Sequence, residues 1–271
     1  MDINEKTNLY ESIAERTQGN IYLGVVGPVR SGKSTFIKRF MDLLVLPNLT
    51  DQYAKERLKD EMPQSGAGKT IMTAEPKFIP DEAVSIALSE NVRLKLRMAD
   101  CVGYLIPGVI GHLEEGRMRM VATPWREEKM PFSEAAEFGT RKVIREHSTI
   151  GIVVTTDGSI GEFDRADYIA AEERTVSELT QIGKPFVVVL NTTEPQSAKT
   201  AELTAELREK YQVPVLPIDC MRMKESDVTT LLSEAVNQFP VSQINFYFPG
   251  FTEGLAEEHW IKATIIEALL K

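Results

Sequence analysis

Cysteine is scarce in this sequence: Cys101 and Cys220 are the only two in 271 residues. Two isolated thiols cannot build a disulfide framework. Histidine is nearly as rare, and His112, His147 and His259 stand apart without the spacing of metal ligands. Long apolar runs are missing too. No window approaches the roughly 18 apolar residues of a membrane span, so no transmembrane segment is expected. The stretch Met1-Asp2-Ile3-Asn4-Glu5-Lys6 carries charge where a signal peptide needs an apolar core. A reducing cytoplasm is the compartment these absences suggest. Basic charge is also lacking. Lys and Arg number 31 against 40 Asp and Glu, a net charge of −9 with pI near 5.1. Net charge therefore offers no general attraction to nucleic acid or anionic lipid, and no nucleic-acid partner is expected.

What is present is an ordinary apolar fraction, 42%, enough to bury a core. The length suits one large domain or one domain with an appendage. Residues 8–17 read as a short amphipathic helix and 21–26 as a buried strand; 33–44 read as a helix with Phe36, Ile37, Phe40 and Leu44 on one face. Residues 46–80 read as irregular. The segments 83–88 and 92–98 suggest a hairpin at a sheet edge, because Val92, Leu94, Leu96 and Met98 alternate with Arg93, Lys95 and Arg97. Residues 103–131 form a long insertion of the kind that is more often functional or mobile than inert. Beyond it, helices at 133–147, 165–182, 198–211 and 226–239 alternate with strands at 149–155, 186–190 and 215–218. Such alternation implies right-handed βαβ crossovers and a mostly parallel sheet flanked by helices, an α/β fold. Residues 1–240 are expected to form this domain. Residues 241–271 then begin a following region: 241–248 as a further strand or the exit from the domain, and 252–270 as an amphipathic helix that stops without a breaker, as if cut short.

Gly27-Pro28-Val29-Arg30-Ser31-Gly32-Lys33-Ser34 matches the phosphate-loop pattern G-x-x-x-x-G-K-[ST]. The glycines permit a tight turn that aims successive N–H groups inward, and the helix beginning at Lys33 adds its positive end. Gly27 through Thr35, with Val29, Arg30, Ser31 and Gly32 in the turn, are expected to cradle the phosphates. Lys33 neutralises β/γ-phosphate charge and Ser34 ligates Mg²⁺. A chance match arises in roughly one chain of this length per hundred; a buried strand before it and an amphipathic helix after it argue against chance here.

Asp100-Cys101-Val102-Gly103 follows a strand directly, where a carboxylate can hold Mg²⁺ through water and Gly103 can offer its N–H to the γ-phosphate. Gly68-Lys69-Thr70-Ile71-Met72-Thr73-Ala74 lies where such folds place their first switch, so Thr73, and after it Thr70, are candidates to contact Mg²⁺ and the γ-phosphate. Tyr104 stands where Ras-like proteins carry a water-positioning Gln, and slow turnover is expected. Guanine-reading proteins carry N-K-x-D after a later strand; this chain has Asn191-Thr192-Thr193-Glu194. With Lys absent and Glu in place of Asp, guanine selection is weak, which favours ATP as the nucleotide. Glu194 still has the reach for a guanine, so a GTP-dependent switch with partner binding as its output remains the alternative. Arg30 reads as solvated before it reads as a ligand contact, and Thr155-Thr156-Asp157-Gly158 as a turn. Trp125, with Glu127 and Glu128, is either a partner surface or local packing.

Taken together, Tyr22-Leu23-Gly24-Val25-Val26-Gly27, Arg30-Ser31-Gly32-Lys33-Ser34-Thr35-Phe36-Ile37, Gly68-Lys69-Thr70-Ile71-Met72-Thr73, Asp100-Cys101-Val102-Gly103-Tyr104 and Gly139-Thr140-Arg141-Lys142-Val143-Ile144 resemble the stage IV sporulation protein A family. These are the coat morphogenetic ATPases of endospore-forming bacteria. The resemblance covers most of residues 10–240. It implies a P-loop NTPase fold of the TRAFAC GTPase-like type that has switched to ATP, with hydrolysis driving self-assembly into a homopolymer. It further implies a place in the mother-cell cytoplasm, peripheral on the outer forespore membrane, with stage V sporulation protein M and spore coat proteins as partners. Lys33 carries over as the phosphate-loop lysine, Asp100 as the Mg²⁺ aspartate and Thr73 as a sensor threonine. The family carries a second threonine where Ala74 stands here. Its chains are also nearly twice as long, and membrane targeting is associated with the parts not matched.

Overall fold

The apolar run that begins at Ile21 is best kept from water on both faces, and the chain places it at the centre of a sheet. The structure is a computed structural model that describes residues 3–63, 75–88, 92–114, 116–123, 126–240, 250–252, 254–256 and 259–270. In chain order its elements begin with α1 (Ile3–Thr17), β1 (Asn20–Val26), α2 (Lys33–Phe40), α3 (Leu46–Asn48), α4 (Gln52–Glu61), β2 (Lys77–Ala87) and β3 (Arg93–Asp100). Two small hairpins follow, β4 (Leu113–Glu114) with β5 (Arg117–Met118) and β6 (Met120–Thr123) with β7 (Arg126–Pro131). Then come α5 (Phe132–His147), β8 (Ile150–Thr156), α6 (Arg165–Ile182), β9 (Phe186–Asn191), α7 (Ala198–Tyr211), β10 (Val215–Ile218) and α8 (Glu225–Asn237).

The main sheet has the order β10-β9-β8-β1-β3-β2. Its pairs are parallel except β2 with β3, the antiparallel edge hairpin that the alternating pattern suggested. Both faces are covered. Val187 and Val189 join a core with residues of α1, α2 and α8, whereas Val188 and Leu190 join a second core with residues of α5, α6 and α7. This two-sided burial explains why the central strands read as continuous apolar runs. Parallel pairing also brings the C-terminal ends of β1, β3, β8, β9 and β10 to one edge of the sheet. In open α/β sheets ligands bind there.

Three expectations change. The helix after the phosphate loop is α-helical only to Phe40, passes through a π-turn at Met41–Val45 and ends with α3. Pro47 lacks the N–H that an α-turn would direct at Leu43, which favours the wider turn. Residues 46–80 are not irregular throughout, because α4 occupies Gln52–Glu61 under an Asp51 cap that accepts from Tyr53 N at 3.0 Å. That helix buries Leu58 alone, so its sequence shows no apolar period. β2 begins at Lys77, not at 83. Its register against β3 shifts between Ile79 and Val84, and that break hides its first half. Part of the 103–131 insertion is the two small hairpins.

The chain divides into two compact units, Met1–Phe239 and Pro240–Lys271. In the second, a 3₁₀ turn (Gly250–Thr252) precedes α9 (Trp260–Leu270), on which Trp260 is exposed. Residues 241–248, read above as strand or exit, lie outside the described residues, as does Trp125.

Candidate active site

Between β1 and α2 the backbone reverses in a tight loop, and its torsions show how. Gly27 has φ 134°, Arg30 φ 63° and Gly32 φ 95°. Space as well as torsion demands the glycines. A Cβ on Gly27 would lie 2.3 Å from Val154 O, and one on Gly32 would lie 2.1 Å from Asn191 Nδ2. The first intrahelical bond of α2 runs from Phe36 N to Gly32 O at 2.9 Å. The amides of Lys33, Ser34 and Thr35 therefore precede the helical ladder, as an anion site at a helix start requires. Ser31 is fully buried, and its hydroxyl has no hydrogen-bond partner among the described residues.

Lys33 is buried and donates from Nζ to Pro28 O at 2.6 Å and Gly27 O at 3.5 Å. Its ammonium is folded onto the carbonyls of its own loop. Burial pulls its pKa down to about 8, against the opposing pull of the Asp100 carboxylate. Ser34 Oγ donates to Asp100 Oδ2 at 2.6 Å, which joins the start of α2 to the end of β3. Burial pushes the Asp100 carboxyl up, while the Ser34 hydrogen bond and the Lys33 charge oppose that. A hydroxyl and a carboxylate meeting beside a lysine form a hard-oxygen pair that suits Mg²⁺, with the remaining ligands from water and phosphate. The fit is good: two oxygen donors in contact, a buried lysine beside them and the start of α2 at the same loop.

Past Asp100 the chain crosses back over the phosphate loop. Gly103 has φ 90°, and a Cβ there would lie 1.9 Å from Gly27 O and 2.9 Å from Lys33 Nζ. Tyr104 N donates to Gly27 O at 3.2 Å, and Val29 N donates to Tyr104 O at 2.9 Å. The Val29 amide is thus engaged by the segment after Asp100 and is not turned into the loop's interior. Arg30 is half-buried, and its carbonyl accepts from Tyr168 Oη at 3.4 Å.

Asn191 lies at the end of β9 and is buried. Its Nδ2 donates to Ser31 O at 3.0 Å, and its Oδ1 accepts from Cys220 N at 3.1 Å. It braces the phosphate loop against the turn after β10. Glu194 is different. Its side chain is exposed, while its carbonyl accepts from Ser197 N at 3.1 Å and Thr200 Oγ1 at 2.9 Å at the start of α7. The structure thus gathers Gly27, Val29, Arg30, Ser31, Gly32, Lys33, Ser34, Thr35, Asp100, Gly103 and Asn191 around one loop. Thr70 and Thr73 lie outside the described residues.

The sequence read Asp157 only as part of a turn; the structure gives it partners that the sequence does not show. Its carboxylate accepts from Thr192 Oγ1 at 2.6 Å, Ser159 Oγ at 2.6 Å and Ser159 N at 2.9 Å. Burial works against its charge, but these bonds outweigh that and hold it below the usual carboxylate range. Thr192, standing where a guanine-reading lysine would be, is fully buried and committed to Asp157. The substitution itself was the available signal. Behind this loop, Glu172 is fully buried and paired with Arg165 at 2.5 and 2.8 Å; it also accepts from Thr155 Oγ1 at 2.5 Å and Tyr211 Oη at 2.6 Å. No sequence pattern connects those four residues.

Residues 4–240 match the family model described as stage IV sporulation protein A, ATPase domain. The chain is 53% identical over 262 residues to stage IV sporulation protein A of Clostridioides difficile (strain 630), covering 97% of this chain and 53% of that one. It is 52% identical over 265 residues to the protein of that name from Bacillus subtilis (strain 168), covering 98% of this chain and 54% of that one. It spans about half the length of these relatives. Among solved structures, a GTP-binding protein from Sulfolobus solfataricus in complex with GDP is 18% identical, with a TM-score of 0.44, covering 87% of this chain and 57% of the other. That likeness is too distant to carry an argument. Among the described residues no helix is long and apolar enough to cross a membrane.

Proposed function

The chain belongs to the stage IV sporulation protein A family and carries its ATPase domain, and from that premise we propose that it performs Mg²⁺-dependent hydrolysis of ATP to drive assembly of a homopolymer at the base of the spore coat. The observation that carries the chemistry is the Ser34–Asp100 contact at 2.6 Å beside the buried Lys33. In phosphoryl transfer to water the protein supplies position and charge more than covalent chemistry. Lys33 exchanges its loop carbonyls for phosphate oxygens. The amides at the start of α2 hold the triphosphate, and Gly103 presents its N–H at the Lys33 end of the loop. Ser34, with Asp100 behind it, would hold Mg²⁺, whose charge would offset that on the transferring group. Thr73, and after it Thr70, sense the terminal phosphate. Thr192, locked to Asp157 in place of a lysine, supports the preference for adenine over guanine.

Assembly places the protein in the mother-cell cytoplasm, on the outer surface of the forespore membrane, with stage V sporulation protein M and coat proteins as partners. The test is a pair of ATP and GTP hydrolysis assays with Mg²⁺ on the wild type and Lys33→Ala. ATP turnover that Lys33→Ala abolishes is expected. Equal or faster turnover of GTP would replace this reading with a GTP-dependent switch.

A further inference from the structure

Tyr104 stands where a water-positioning side chain is expected, yet its hydroxyl points elsewhere. The residue is 2% exposed, and its hydroxyl donates to the Glu178 carboxylate on α6. Arg141 of α5 closes on the same carboxylate, with contacts of 3.2 and 3.3 Å. Arg174 lies over the Tyr104 ring, 4.8 Å from its centre, and is itself held by Glu137 at 2.6 and 2.7 Å. A phenylalanine would fill the same core beside Phe163 and Tyr168. The hydroxyl does something that packing does not require: it ties this one residue to a pair of helices.

The main chain of Tyr104 makes the opposite connection. Through Gly27 O and Val29 N it pairs with the first residues of the phosphate loop. Gly103, one residue earlier, lies so close to Gly27 O and Lys33 Nζ that it has no room for a side chain. We propose that Tyr104 is a positioning residue for ATP hydrolysis. Its hydroxyl, fixed by Glu178, holds the Gly103 amide against the Lys33 end of the phosphate loop, where a terminal phosphate is read. The inference rests on the ATPase reading and deepens it: position 104 acts on the reaction through Gly103, not through water. An amide that donates to developing phosphate charge must be held to within a fraction of an ångström, and a misplacement near 1 Å costs on the order of a hundredfold in rate.

The test compares the wild type with Tyr104→Phe, Glu178→Leu, which leaves no acceptor for the hydroxyl, and the double variant. Tyr104→Phe keeps the ring and removes only the donor. Three quantities are read: kcat, the affinity for a non-hydrolysable ATP analogue relative to ADP, and amide hydrogen exchange of residues 103–106 in the nucleotide-free protein. ADP affinity should stay within about twofold, the preference for the ATP analogue should fall about five- to tenfold, and kcat should fall roughly ten- to a hundredfold. Exchange at 103–106 should quicken. The double variant should be no worse than about twofold beyond the worse single, since both changes break one contact. Tyr104→Gln should slow turnover as well. Equal losses of ADP and analogue affinity would overturn the proposal, as would losses that multiply in the double variant or exchange that does not change. Wild type that hydrolyses no ATP would overturn the ATPase reading instead, and the exchange and analogue measurements would still decide the clamp.

Discussion

Replacing Asn191 by alanine removes both arms of the brace between the phosphate loop and the turn after β10. The side chain is 4% exposed and holds Ser31 O at 3.0 Å and Cys220 N at 3.1 Å. Alanine leaves a carbonyl and an amide with no protein partner. An orphaned buried polar group costs about 1–3 kcal/mol, so the pair costs roughly 2–5 kcal/mol, less whatever water enters the small void. Equilibrium urea unfolding should show this as a lower midpoint at unchanged slope. Nucleotide affinity should fall with it, because Ser31 and Gly32 are part of the cradle. Asn191→Asp sharpens the test. A carboxylate still accepts from Cys220 N but sets a charged oxygen against Ser31 O, so it should weaken nucleotide binding at least as much as alanine does. If Asn191→Ala shifts stability by less than about 0.5 kcal/mol and leaves affinity within twofold, the brace is not what holds the loop.

Gly103→Ala forces a Cβ to within 1.9 Å of Gly27 O at φ 90°; hydrolysis should be lost, with about 1–3 kcal/mol of destabilisation, read by phosphate release and thermal unfolding. Glu172→Leu leaves the half-buried Arg165 without its carboxylate and should cost at the lower end of the roughly 3–5 kcal/mol that breaking a buried pair costs, whereas adding Arg165→Met should recover part of it in the same unfolding assay. Asp157 lies below its ordinary value of 3.8 and Glu178 below its ordinary 4.5 in the folded chain, because hydrogen bonds to each outweigh burial. Their contribution is therefore fully present above those ordinary values and is lost as pH falls below them through the lower folded-state values. Unfolding free energy measured from pH 6 down to pH 3 should drop less steeply in Asp157→Asn than in the wild type.

Sequence pattern alone singled out Gly27–Thr35, Asp100 and Asn191, since each has a fixed place relative to an apolar strand, and the fold brings them together, with Asn191 as a brace on the loop. It found the edge hairpin because one face of β3 is wet. It passed over α4, which buries only Leu58, and half of β2, whose register breaks. It took Thr155-Thr156-Asp157-Gly158 for a turn. A turn does follow β8 there, but its Asp157 is also the partner of Thr192, 35 residues away. A hydrogen bond across two strands has no period for a sequence to display.

The division has a physical basis. Local chemistry is written in the chain: glycines that must adopt positive φ, a lysine at a helix start, strands apolar on both sides. Those determined an α/β sheet with a triphosphate cradle at the end of its first strand. Which way Tyr104 faces, and that Glu178, Arg141 and Arg174 meet it, followed only from packing α5 and α6 on the sheet. Residues far apart in sequence share a site only when the fold closes, and that closure set Tyr104 to anchor the loop instead of reaching for water.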